Sequence, residues 1–200
     1  MSEAGIGRIV VASLHQGIAD TLPSRLEFYE NWLTAAGLRG GTIGVAQLNA
    51  VLSFLRREDD AYDTIVRRAG QYAADWTLDS MSGARRRCIE MLPSWGRARM
   101  ALRVARRLVR RGSVRSRAVV RRGREGTRLE IERSLFCDVR EAWPFPLCGF
   151  YAAAAARLLD RFDVDGDVVV GSCRGAGKAA CVLEVTVRGP KSRHASVVAA

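Results

Sequence analysis

Cysteine is the residue type whose spacing in this 200-residue chain most suggests chemistry. Five are present, Cys88, Cys137, Cys148, Cys173 and Cys181, four of them in the last third. Cys173 and Cys181 bracket the glycine-bearing stretch Arg174-Gly175-Ala176-Gly177-Lys178 between two runs of strand character. With seven residues between them, the ends of two paired strands can bring both sulfurs to one point. Cys148 lies in the first turn of a helix that follows Pro146, where a helix amino end lowers a thiol pKa and favours the thiolate a metal requires. Cys137 falls just past the end of another strand. Three or four thiolates at such a junction suit tetrahedral Zn²⁺. The alternative is that they are small buried hydrophobes. Their intervals match neither a zinc finger nor a zinc ribbon.

Other constellations carry less. Residues 85–124 hold fifteen arginines and one acid, Glu90, for a net +14, while the rest of the chain carries 17 basic and 20 acidic residues. Arg103, Arg106, Arg107 and Arg110 fall on the outer face of one amphipathic helix. Such a face suits an acidic protein or an anionic lipid surface, or is simply solvated. Nucleic acid is not expected, because no aromatics interleave the strands and no recognition motif appears. Gly175-Ala176-Gly177-Lys178 lacks the spacing and following helix of a phosphate-binding loop, so it reads as a hairpin turn. The only histidines, His15 and His194, lie near opposite ends of the chain and outside any nucleophile motif. Trp32, Tyr72, Trp76, Trp143 and Phe150 are candidates to line an apolar pocket, with helix core as the alternative. No catalytic residue is assigned.

The elements that must position these groups follow from periodicity. Hydrophobic residues make up 48% of the chain and charged residues 26%, an ordinary globular composition with enough length to bury a core unaided. No apolar run reaches a membrane span. The opening MSEAGIGRIVVASLHQG has no basic leader, so reduced thiols in a cytoplasm are expected. Helical spacing predicts helices over Ser24–Ala36, over Val45–Arg57 and from Glu58 onward with Ile65, Ala69, Tyr72, Ala73 and Trp76 as its stripe, then one over Arg97–Arg111. Residues 80–96 are mixed. Period-two alternation predicts strands from Val114 to Arg121 and from Leu129 to about Phe136 around a turn at 122–126. An alanine-rich helix is predicted over Leu147–Phe162, a turn at Asp165-Gly166-Asp167, and strands at Val168–Val170 and Cys181–Arg188. Gly149 is expected to let the helix start approach the Cys173–Cys181 hairpin. The fold class is α+β: an antiparallel four-stranded sheet of two hairpins packed against an N-terminal helical set. One domain is expected over 1–188, with a flexible tail at 189–200.

The segment SLFCDVREAWPFPLCGFYAAAAARLL, followed by VVVGSCRGAGKAAC and VLEVTV, resembles the C-terminal half of the 4-vinyl reductase domain family. Cys148, Cys173, Gly177 and Cys181 match its Cys…Cys-x-x-x-Gly-x-x-x-Cys pattern over residues 134–187. The resemblance implies the fold shared by bacterial phenol-sensing domains and the TRAPP trafficking subunits, whose members often pair through their helices into homodimers. It also implies zinc held by Cys148, Cys173, Cys181 and a glutamate. That glutamate would fall near Val170, which cannot ligate, leaving Cys137 to take its place or the site without metal. The expected function is a ligand-binding or scaffold domain that takes a small hydrophobic molecule. The alternatives are an enzyme or carrier in tetrapyrrole metabolism of the bacteriochlorophyll type, and a TRAPP-like assembly subunit that binds an acidic partner.

Overall fold

The structure, a computed structural model, describes residues 5–33, 43–58, 60–123 and 126–191. Among these residues it is α+β, with seven α-helices and a four-stranded antiparallel sheet. The helices are α1 (Arg8–Thr21), α2 (Leu26–Glu30), α3 (Val45–Leu55), α4 (Asp60–Asp79), α5 (Gly83–Glu90), α6 (Ser94–Gly112) and α7 (Gly149–Arg161). A two-residue ribbon pairs β1 (Gly5–Ile6) with β2 (Ile43–Gly44). The main sheet contains β3 (Arg117–Gly123), β4 (Gly126–Glu132), β5 (Val164–Ser172) and β6 (Cys181–Pro190) in the order β3-β4-β6-β5. Two hairpins therefore join through β4 and β6, with Leu129 opposite Leu183 and Ile131 opposite Cys181.

One face of this sheet is covered. Leu129, Ile131, Leu183 and Val185 are buried, while Arg128, Glu184 and Thr186 point out. The cover is α7, with α6 beside it; α4 packs on the far side of α7, and α1 on α4. Alanine is the best helix former and has no long side chain to hold a neighbour away, so residues 152–156 give α7 both its stability and its close contacts. At the α4–α7 crossing a Cβ on Gly70 would lie 2.2 Å from the Phe150 carbonyl oxygen, so the backbones meet with no side chain between them. Phe150, Tyr151, Leu158, Leu159 and Phe162 are all buried there.

Several expectations need correction. Helix α1 had no counterpart in the periodicity. The helix expected over Ser24–Ala36 is a 3₁₀ turn at Pro23–Arg25 followed by only five α-helical residues, and 34–36 lie outside the described residues. Val114 is 81% exposed, because β3 begins three residues later. Strand β4 ends at Glu132, and Leu135–Cys137 is a 3₁₀ turn. Gly166 and Asp167 lie inside β5 rather than in a turn. A register shift between Asp165 and Gly166 absorbs them, and the chain reverses at Asp163, whose φ is +52°. Strand β6 runs through Pro190, paired with Val164; residues 192–200 lie outside the described residues.

Candidate metal centre

Each cysteine of the cluster sits where one element gives way to the next. Cys137 is the last residue of the 3₁₀ turn after β4, and Cys148 is the N-cap of α7. Cys173 caps the 3₁₀ turn Arg174–Ala176 that follows β5, and Cys181 opens β6. The β5–β6 connection is short and tight. Ala176 and Lys178 donate their N–H groups to the Cys173 carbonyl, and Gly177 supplies the left-handed residue (φ +80°) that closes it. The chain from 139 to 147 wraps this turn: Trp143 N–H donates to the Gly175 carbonyl at 2.8 Å. A Cβ on Gly175 would lie 2.7 Å from a Leu147 methyl. Close approach at the hairpin is thus made by Gly175. Gly149, expected to make it, faces Asp63 and Val66 of α4 instead.

The sulfurs converge. Cys137 Sγ lies 3.1 Å from Cys148 Sγ and 3.4 Å from Cys173 Sγ; Cys148 and Cys173 are 3.5 Å apart. With Cys181, all four ligand atoms fall within 4.8 Å of one another, and all four residues are buried. Tetrahedral Zn²⁺ with bonds of about 2.3 Å would space its sulfurs about 3.8 Å apart, inside this range. The donor set and its size therefore fit one such ion. Cys88 is exposed and lies outside the cluster.

Backbone groups support the sulfurs. Leu147 N–H donates to Cys173 Sγ at 3.2 Å and Arg174 N–H to Cys181 Sγ at 3.3 Å. Such donors stabilise negative charge on sulfur. Contact with Cys137 first, then with Cys148 and Cys181, pushes the Cys173 thiol pKa down, and the Leu147 N–H adds to the effect. The Cys181 thiol is also lowered, by Cys137 first and then Cys148, against the contact with Cys173 and burial, which raise it. Cys148 moves the opposite way from the expectation for a helix start: contacts with Cys137, Cys173 and Cys181, and then burial, push it up. For Cys137 the contact with Cys148 lowers the pKa, but Cys173, Cys181 and burial outweigh it, so the thiol is raised.

Two buried residues that the sequence did not single out brace the centre. Arg56, only 5% exposed, donates from Nη2 to the Phe136 carbonyl at 3.0 Å, immediately before Cys137. Tyr62 donates its hydroxyl to the Leu147 carbonyl at 3.5 Å, immediately before Cys148. Burial, foremost, pushes the Tyr62 phenol up. Arg56 is the C-cap of α3 and its neighbour Arg57 is exposed; no local pattern distinguishes the two.

The remaining candidates are dispersed. Tyr72 and Trp76 stack on α4 at 5.7 Å, and Tyr72 donates to Asp20 of α1. Trp32 lies against Phe54, Trp143 against Phe145, and the buried Phe150 stacks on Phe136 at 4.6 Å. The four arginines of the basic face divide. Arg103 and Arg106 line an open groove with the exposed Trp95, between α6 and the sheet. Arg107 lines a separate cavity with Arg111, and Arg110 lines neither. No helix among the described residues is long and apolar enough to cross a membrane. Comparison with family models and with curated proteins gave no match.

Proposed function

We propose that Cys137, Cys148, Cys173 and Cys181 hold one Zn²⁺ as a structural clamp, and that the chain is a binding domain of the 4-vinyl reductase kind rather than an enzyme. The observation that carries this reading is the convergence of four buried sulfurs from four element junctions. Four protein ligands complete a tetrahedron and leave no position for water or substrate, which is the pattern of structural rather than catalytic zinc. The ion would supply the positive charge that lets buried thiolates share one space. The chain supplies the rest: the Leu147 and Arg174 amides orient two sulfurs, and Arg56 and Tyr62 fix the carbonyls that precede the other two. The clamp ties the start of α7 to the β5–β6 hairpin and to the end of β4. Cys137 takes the ligand role that the resemblance gives to a glutamate near Val170. The succession of helices, hairpin, helix and hairpin supports kinship with the phenol-sensor and TRAPP fold.

Elemental analysis combined with native mass spectrometry on protein purified under reducing conditions tests this. One zinc per chain is the expected result. Metal-free protein of equal stability, which takes up no zinc when it is offered, rejects the clamp.

A further inference from the structure

Away from the cysteines, a cavity of about 330 Å³ lies among the start of α1, the end of α4, the start of α5 and the last turns of α6. Its floor is apolar, with Val10, Val104 and Leu108 buried and Ile9 and Met81 half-buried. Its rim carries Arg8, Arg85, Arg107 and Arg111, and no carboxylate among the described residues lines it. Positions 104, 107, 108 and 111 share one face of α6, so this helix supplies floor and rim together.

The rim arginines differ from those that are held in ion pairs. Arg67, Arg68, Arg86, Arg97, Arg157 and Arg188 each pair with a carboxylate. Among the described residues, Arg8, Arg85, Arg107 and Arg111 have neither an ion pair nor a side-chain hydrogen bond. Four guanidinium groups around one cleft raise a positive potential that nothing in the cleft offsets. Helix α1 adds to it. Its N-cap, Gly7, provides no side-chain cap, its first turn holds no acid, and Gly7, Arg8 and Ile9 line the cleft. The first-turn amides of Arg8 and Ile9 lack intrahelical acceptors, and the positive end of the helix lies there.

We infer that this cleft binds a small amphiphilic anion, its apolar body on the Val104–Leu108 floor and its carboxylate or phosphate head among the guanidinium groups. The inference rests on the binding-domain reading above only in that the domain takes a ligand; it does not depend on the metal.

Calorimetric titration of the full chain with octanoate, octyl phosphate, octanol and inorganic phosphate tests it. One octanoate or octyl phosphate per chain is expected, and the tighter of the two identifies the head group. Octanol, which lacks the charge, and inorganic phosphate, which lacks the body, should each bind more weakly by on the order of tenfold or more. Arg107→Gln with Arg111→Gln should weaken the amphiphile by a similar factor, whereas Arg110→Gln, on the same helix outside the cleft, should not. If the double variant fails to fold, Arg8→Gln with Arg85→Gln tests the same rim from two other helices. Absence of binding by both amphiphiles, equal binding by octanol, or no loss in the rim variants overturns the inference. Zinc content measured on the same samples separates failure of this site from failure of the clamp.

Discussion

The cysteine centre and the arginine-rich stretch concentrate a single residue type in opposite ways. Four cysteines spread over 45 residues of sequence meet within 4.8 Å. The fifteen arginines within forty consecutive residues do not gather at one point: among the described ones Arg85, Arg107 and Arg111 share one cleft, Arg99, Arg103, Arg106 and Arg122 line another, and Arg110 lines neither. Folding gathers the first set because its members sit at chain reversals, where elements end together. It disperses the second because a regular helix turns successive side chains to different sides. Local density of a residue type is thus a poor guide to a site, and position relative to element ends is a better one.

Substitutions at the cysteines put this contrast to its strongest test. Cys137→Ser, Cys148→Ser, Cys173→Ser and Cys181→Ser should each abolish zinc retention and cost about 3 kcal/mol or more. In a chain of this length that lowers Tm by roughly 10 °C by calorimetry. Cys88→Ser should change neither metal content nor Tm. If Cys137→Ser keeps its zinc, the centre has three thiolates and not four.

Arg56→Leu sharpens the contrast from the arginine side. It leaves the Phe136 carbonyl without its donor and should cost about 2 kcal/mol by denaturant unfolding. It should also speed zinc loss to a chelator. Arg103→Gln, on the exposed face, should stay within about 0.5 kcal/mol of the parent. Equal effects at the two positions would show that Arg56 does not brace Cys137.

A smaller, pH-dependent effect is expected at Tyr72→Phe. The Tyr72 hydroxyl, foremost, holds the Asp20 carboxyl below its ordinary value of 3.8. A folded-state pKa lowered in this way adds stability that is fully present above pH 3.8 and is lost as the pH falls through the lowered value. The difference in Tm between parent and variant should therefore be constant near neutrality and shrink below about pH 4. A difference that stays constant down to pH 2.5 would assign the effect to packing on Trp76.

The sheet was legible because its pattern is local. Leu129 and Ile131 alternate with Arg128, Glu130 and Glu132, and Leu183 and Val185 with Glu184 and Thr186; all four apolar residues are buried. The amphipathic α6 was legible for the same reason: Ala101, Leu102, Ala105, Leu108 and Val109 face inward. Helix α1 was not, since Ser13 and Gly17 stand on its buried face and interrupt the apolar stripe. Gly17 is small because a Cβ there would lie 2.7 Å from the Ile65 carbonyl oxygen on α4, a tertiary demand that no periodicity records. Within the site, the meeting of Cys148, Cys173 and Cys181 could be read from chain reversals. The placing of Cys137 depends on a 3₁₀ turn held by a buried arginine from a helix eighty residues earlier.

The sheet order has a consequence for synthesis. Strand β6, the last described element, does not sit at an edge; it separates β4 from β5. Until it arrives, the β3–β4 hairpin presents the unpaired rim of β4, with Leu129 and Ile131 beside it, and β5 has no neighbour in the sheet. An open apolar strand rim is a template for pairing with other chains. The central pairings also join residues fifty or more positions apart, which makes closure slow relative to the helices. A nascent or C-terminally clipped chain that has made its helices but lacks residues 181–187 is therefore the species most exposed to self-association, and chaperone demand should peak there.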